Sequence, residues 1–323
     1  MFKNKTIAVV VPAHNEEKLI LRVLHTMPDW VDRVIVVDDA STDTTVEKVQ
    51  RHIKEDPRVS LIRHEMNRGV GAAIASGYKK SLKLGCDIAA VMAGDAQMDP
   101  VDLEKVLAPV AEGRADYSKG NRLFRGQAWN IIPRYRYIGN AVLSLLTKIA
   151  SGYWHIADSQ CGFTAISREA LMSIDLDGIY PRYGMPNDLL VKLNIAEQRV
   201  CDVSIRPVYN IGEVSGIRVS RVITSISGLL VHCFFKRLVQ KYVIRDFHPL
   251  IFFYALGMAA FPPGFVMGTY LFLYRIFSGP VSVTSALFSA FLVISGLQFL
   301  LFAMWFDMEN NKHLKVAAGD LGG

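Results

Sequence analysis

Charge, paired cysteines and a long basic stripe are what this chain is short of. Charged residues make up only 20% of it, and although the formal net charge of +6 points to anionic partners, the bases gather ahead of an apolar tail. That distribution excludes the continuous basic face expected of a nucleic-acid binder. The four cysteines, Cys86, Cys161, Cys201 and Cys233, are scattered with no two at metal-ligand spacing. Buried thiols in a reducing compartment are therefore expected. A secretory leader is not expected either, because Lys3 and Lys5 precede an apolar run, residues 7–11, that is too short and ends at Pro12. Nor is there a dinucleotide fingerprint. Gly69 and Gly71 lack the third glycine, and no acidic residue other than Asp87 follows about twenty positions later.

What the chain has in quantity is apolar sequence. Residues 249–274 and 281–306 are almost free of charge, and each run exceeds the ~20 residues that cross a bilayer. They predict two membrane helices joined by a turn at 275–280. Arg218, Arg221, Lys236, Arg237, Lys241 and Arg245 precede the first run, Lys312 and Lys315 follow the second, and Arg275 alone lies between. That bias predicts cytoplasmic termini on both sides of the hairpin. Residues 222–242 mix apolar positions with Lys236, Arg237 and Lys241, as an interfacial amphipathic helix would; a helix packed under the preceding domain is the ordinary alternative. Pro262-Pro263-Gly264 should interrupt and kink the first span.

Ahead of the tail, 323 residues leave ample length for a full α/β core. The run KTIAVVV, residues 5–11, reads as a strand buried on both faces and opens into PAHNEE, residues 12–17. A second strand, 32–37, opens into DDASTD, 38–43, and a third, 59–63, leads into NRGVGAAIASG, 67–77. A fourth, 88–92, stops at Gly94. Strands alternate with helices and polar motifs fall at strand ends, which predicts an α/β, doubly wound, mostly parallel sheet. In such sheets ligands lie beyond the carboxyl ends of the strands. Asp95 sits at such an end, with the amide of Gln97 two residues on as a second hard ligand for a divalent cation. Its ordinary alternative is a surface turn in which Asp99-Pro100 caps a helix with Leu103, Val106, Leu107 and Val110 on its apolar face.

PAHNEE, VVDDASTD, NRGVGAAIASG and GDAQMDP, in this order, resemble the N-terminal half of a family 2 glycosyltransferase with a GT-A fold. GNR at 120–122, YIGN at 137–140, DSQCGF at 158–163 and the two spans resemble its polyprenyl-phosphate branch, the relatives of dolichyl- and undecaprenyl-phosphate glycosyltransferases. The resemblance implies that Pro12, Ala13, Asn15, Glu17, Asp39, Gly71, Asp95 and Ala96 hold a nucleotide sugar. It implies Mg²⁺ or Mn²⁺ on Asp95 and Gln97. It places Arg122, Arg134, Arg136 and, more weakly, Arg206 on a lipid phosphate, and Asp158 and Asp188 with Asp95 in catalysis. Capping is the alternative for Asp38 and Asp39, with Ser41 expected to cap and Asp39 to bind; surface charge is the alternative for any lone arginine.

One departure matters: Ala93 stands where the family's Asp-x-Asp element has its first carboxylate. The resemblance predicts inverting transfer of a sugar, UDP-linked before GDP-linked, to a polyprenyl phosphate at the cytoplasmic face of a membrane. Ala93 keeps alive a membrane-anchored nucleotide-sugar-binding scaffold without turnover, and another acceptor is a further alternative. A processive transferase is disfavoured by the small hairpin and the lack of a QxxRW element. The expected organisation is a catalytic domain at 1–215, a juxtamembrane amphipathic region at 216–246, two membrane helices at 247–310 and a cytoplasmic tail at 311–323. Self-association through the tail, as a tetramer, is a further expectation.

Overall fold

The structure, a computed structural model, describes residues 1–123, 134–206 and 219–316. The chain divides into two compact units, one of residues Met1–Phe235 with His313–Gly323, the other of Lys236–Lys312. In the first, strands and helices alternate as β1 (Ile7–Ala13), α1 (Ile20–His25), β2 (Arg33–Asp38), α2 (Thr45–Ile53), β3 (Val59–Arg63), α3 (Val70–Lys83), β4 (Ile88–Val91), α4 (Pro100–Ala111) and β5 (Tyr117–Asn121). Then come α5 (Arg134–Ser151), β6 (Thr164–Ser167), α6 (Arg168–Met172), α7 (Met185–Ile195), β7 (Val200–Ser204) and α8 (Val219–Val239).

Among the described residues seven strands form one sheet in the order β3-β2-β1-β4-β6-β5-β7. The pairs β1–β2, β1–β4, β2–β3 and β5–β7 are parallel, whereas β6 runs antiparallel to β4 and β5. The expected doubly wound, mostly parallel sheet is therefore present, with one reversed strand. Alternation along β1 shows why its sequence is apolar throughout. Ile7, Val9 and Val11 enter one core cluster with Val34, Leu103 and Val106, while Ala8 and Val10 enter another with Ile35, Tyr78 and Leu190. Helices cover both faces, so every position of the strand loses water. α4 buries Leu103, Val106, Leu107 and Val110, and Asp99 caps it by accepting from the Val101 amide at 3.0 Å.

The carboxyl-terminal ends of the six like-directed strands share one edge, and reversal of β6 brings its amino-terminal end to the same place. All the polar motifs consequently meet there: residues 12–17 after β1, 38–43 after β2, 93–97 after β4, 121–122 at the end of β5, and 158–163 before β6.

The C-terminal residues return to the sheet. Residues 313–316 belong with the first unit: Lys315 forms a parallel bridge to Val200, and Leu314 is buried. α8 packs Ile226 and Leu230 against Leu143 and Ala150 of α5. In the second unit a π-helical turn, Gln240–Arg245, leads to α9 (Leu250–Phe277) and α10 (Val283–Asn310), a hairpin of two long apolar helices. α9 runs through Pro262 and Pro263 without interruption. Glycines let the two helices approach: a Cβ on Gly264 would meet the Val293 amide at 2.9 Å, and one on Gly296 would meet the Phe261 Cα at 2.7 Å. Arg237 and Lys241, expected on a wet basic face, are instead buried, because the end of α10 supplies partners. Arg237 pairs with Asp307 at 2.7 Å and Lys241 donates to Asn311 at 2.8 Å.

Candidate active site

The end of β1 is the hinge pin of the polar edge. The Pro12 carbonyl accepts from the Gly94 amide at 3.0 Å and the Ala13 carbonyl from the Asp39 amide at 2.9 Å. Gly94 tolerates this because an added Cβ would lie 3.2 Å from the Pro12 oxygen. The loops carrying Pro12, Ala13, Asp39 and Asp95 are thereby brought together.

Their side chains have distinct jobs. Asp39, nearly inaccessible, accepts from the amides of Arg68 at 2.9 Å and Gly69 at 2.7 Å, and from His64 Nδ1 at 2.7 Å. Burial alone would raise its pKa; the two amides and the imidazole outweigh it and hold the carboxyl below the usual range. Its neighbour Asp38 is fully buried, and its Oδ1 has no hydrogen-bond partner among the described residues. Ser41 does not cap α2: the helix starts four residues later, and Ser41 Oγ accepts from the Asn15 amide at 2.9 Å. Asp43 serves the first turn instead, accepting from the Thr45 amide at 3.0 Å.

Asn15 holds the loop after β2, its Oδ1 accepting from the Thr42 amide at 2.8 Å. Glu17 is turned to the start of α2, where its carboxylate accepts from Thr44 Oγ1 at 2.7 Å. Glu16, which the sequence reading passed over, is the carboxylate that feels Asp95. Burial, then the charges of Asp95 and Asp43, push its pKa up to about 7. The only sequence signal for this was the doubled acid in PAHNEE, which does not say which one faces inward.

Asp95 lies in a tight turn. Its Oδ1 accepts from the Gln97 amide at 3.0 Å, and Ala96 between them adopts φ +57°, the left-handed region. Asp95, Gln97 and Glu16 are all half-buried, Glu16 feels the charge of Asp95, and all three carry hard oxygen atoms. That chemistry fits a divalent cation of the Mg²⁺ or Mn²⁺ kind. Gly71, expected at the nucleotide sugar, also packs closely in the fold. It is buried, and a Cβ there would strike the Tyr180 carbonyl and come within 2.8 Å of Met185 Cβ.

On the other side of the edge, Asp158 is fully buried at φ +34° and receives Arg122 three times, from its amide at 3.0 Å, Nε at 2.7 Å and NH2 at 2.8 Å. Burial opposes its ionisation, but the charges of Arg122 and Lys119 prevail and hold the pKa low. Lys119, with no exposed surface, donates to the Asp158 carbonyl at 2.7 Å and faces Asp202 at 3.4 Å. Neither Lys119 nor Asp202 was singled out from sequence. Each is a lone charge in a buried strand, and β5 and β7 put them in register, a signal that only strand pairing could reveal.

Asp188 braces α7 and the loop before it: Lys192 reaches its carboxylate at 2.8 Å and the Tyr180 amide donates at 2.9 Å. Asn187 accepts from Thr147 Oγ1 at 2.9 Å and Gln160 Nε2 at 3.1 Å, while its own Nδ2 is buried without a partner among the described residues. Arg206 is exposed, its amide donating to Asp102 at 2.9 Å. Arg134 and Arg136 fall in the first turn of α5, but their side chains, and Arg218, lie outside the described residues.

Comparison with known proteins gives this edge a context. The family model for glycosyl transferase family 2 matches residues 8–175. The UDP-N-acetylglucosamine–dolichyl-phosphate N-acetylglucosaminyltransferase of Methanococcus voltae is 33% identical over 225 residues, 64% of this chain and 87% of that one. The undecaprenyl-phosphate mannosyltransferase of Micrococcus luteus is 29% identical over 202 residues, 62% of this chain and 82% of that one. Glucosyl-3-phosphoglycerate synthase from Mycobacterium tuberculosis, crystallised with Mn²⁺, UDP and glucosyl-3-phosphoglycerate, has a TM-score of 0.52 at 21% identity, covering 72% of this chain and 80% of that chain. At that identity the likeness speaks for the fold.

Proposed function

Because the chain belongs to glycosyl transferase family 2, we propose that it transfers a sugar from a nucleotide-sugar donor, UDP-linked, to a polyprenyl phosphate at the cytoplasmic face of a membrane, with inversion. The observation that carries this reading is the placement, at one end of the sheet, of two neighbouring acids, Glu16 and Asp95, and of an arginine, Arg122, fixed by a buried carboxylate. The names of the Methanococcus and Micrococcus relatives support the acceptor class. The apolar hairpin supports the membrane. Fewer than a quarter of the residues in each apolar window are buried, which supports helices that face lipid.

Pro12, Ala13 and Asn15 line the nucleoside side, and Asp39 holds the loop at Arg68 and Gly69 against it. Asp95, Gln97 and Glu16 would hold Mg²⁺ or Mn²⁺. Such an ion supplies charge for the departing diphosphate. Arg122, its fork locked by Asp158, stands on the side of the acceptor phosphate; Arg134, Arg136 and Arg206 complete the cationic side.

A phosphate monoester has its second pKa near ~6 and is already mostly dianionic at neutral pH, so no side chain need remove a proton. Asp188 fits that requirement, since Lys192 and the Tyr180 amide engage its carboxylate. It positions α7 and is not a base. Attack of the phosphate oxygen on the anomeric carbon then breaks the bond to the diphosphate in one displacement, and orientation does most of the work.

The test is lipid-linked sugar formation by the purified full chain with polyprenyl phosphate, Mg²⁺ or Mn²⁺ and a panel of labelled nucleotide sugars. Product with one donor is expected. Ala93 favours a second reading, a scaffold that binds the nucleotide sugar without turnover; donor-dependent thermal stabilisation with no product under any metal would select it.

A further inference from the structure

At the opposite end of the first unit lies a second cluster of ligand-bearing side chains. α1 and α2 start beside the candidate active site and run back along the sheet, so their C-terminal turns, carrying His25 and His52, reach the far edge with Glu55 just beyond. One ligand atom from each of His25, His52 and Glu55 lies within 4.8 Å of the others. His52 is 6% exposed, yet neither ring nitrogen has a hydrogen bond among the described residues. Its Nδ1 faces Glu55 Oε2 at 3.5 Å, and its ring meets that of His25 edge-on at 4.9 Å between centroids. A buried imidazole with both nitrogens unsatisfied carries a desolvation cost that needs an offset.

We propose that His25, His52 and Glu55 form a binding site for a borderline divalent cation of the Zn²⁺ class, remote from the catalytic edge. Ligands at ~2.0–2.1 Å from a tetrahedral ion stand about 3.3 Å apart, so the His52–Glu55 pair already has nearly the right separation. Only His25, exposed at the end of its helix, has to swing inward. Glu55 is held in place by the turn in which its amide and that of Asp56 both donate to the His52 carbonyl at 2.9 Å. Asp56 does not compete, being forked onto Arg58 at 2.8–3.1 Å. The C-terminal dipole of α2 adds negative potential where the ion sits.

Two imidazoles select Zn²⁺ or Co²⁺ over the hard ions suited to Asp95 and Gln97, and the fourth position stays with water. A bound ion would clamp α1 to α2, the helices whose opposite ends carry Glu16 and Asp43.

The experiment uses the full chain in detergent, stripped with chelator and titrated with Co²⁺, read by visible ligand-field absorption. Wild type and Asp95→Asn are both expected to bind one equivalent with a four-coordinate spectrum. His25→Ala and Glu55→Gln, at exposed positions, should keep the metal-free melting temperature and weaken binding at least ~tenfold. The proposal is overturned if wild type develops no such absorption, if both variants titrate like wild type, or if the signal disappears with Asp95→Asn.

Discussion

The two halves of the sheet secure their carboxylates by different means. Around β1, β2 and β4 the acids at the edge are held chiefly by backbone amides and hydroxyls: Asp39 by two amides together with His64, Asp43 by the Thr45 amide, Glu17 by Thr44. Around β5 to β7 they are held by cations: Asp158 by Arg122, Asp202 by Lys119, Asp188 by Lys192. Amides fix an acid without cancelling its charge. The first half therefore gathers acids that act on one another, as Asp95 and Asp43 do on Glu16, while the second presents cations anchored on carboxylates. The proposed reaction, with a cation on one side and a phosphate on the other, would use that asymmetry.

The largest effect that would break the comparison is on the cationic side. Arg122→Ala should cost about 3–5 kcal/mol in denaturant unfolding, because a fully buried Asp158 loses its counter-charge. Arg122→Ala combined with Asp158→Asn should recover part of that loss. Asp95→Asn should lower transfer at least ~100-fold, or about 2.7 kcal/mol in transition-state stabilisation, and remove the metal dependence; an active, metal-dependent variant would sink the assignment. On the amide side, His64→Ala should cost less than Arg122→Ala, about 1.5–3 kcal/mol, since Asp39 keeps the Arg68 and Gly69 amides. Asp99→Ala, which uncaps α4, should cost about 1 kcal/mol in the same assay.

A further effect is a pH slope. Glu16 has a folded pKa near 7, above its ordinary 4.5, so between those values the folded chain holds a proton that the unfolded chain has released. Stability of the metal-free protein should therefore fall as pH rises from about 4.5 to 7, and Glu16→Gln should flatten that slope.

The N-terminal half of the fold was legible because each strand there is an unbroken apolar run with a polar loop at its end, as at residues 7–17 and 33–43. β5 and β7 were harder, since YSKGN and VCDVS each carry a charge that hides a buried strand. At the site, Asp95 and the Arg122 motif were readable, while Glu16 and Glu17 could not be told apart. The packing role of Gly71 was hidden, because a glycine needed for a close backbone neighbour and one needed for a close phosphate are the same residue in a sequence.

By itself, then, the sequence determined the alternation of strands and helices, the apolar hairpin, and which loops carry chemistry, because periodicity and local composition encode those directly. Only the tertiary structure decided which charges are partners. Arg122 and Asp158 are 36 residues apart, Lys119 and Asp202 are 83 apart, and a reversed strand is what brings the first pair to one edge. Contacts between distant residues depend on strand order and direction, and no local pattern specifies those.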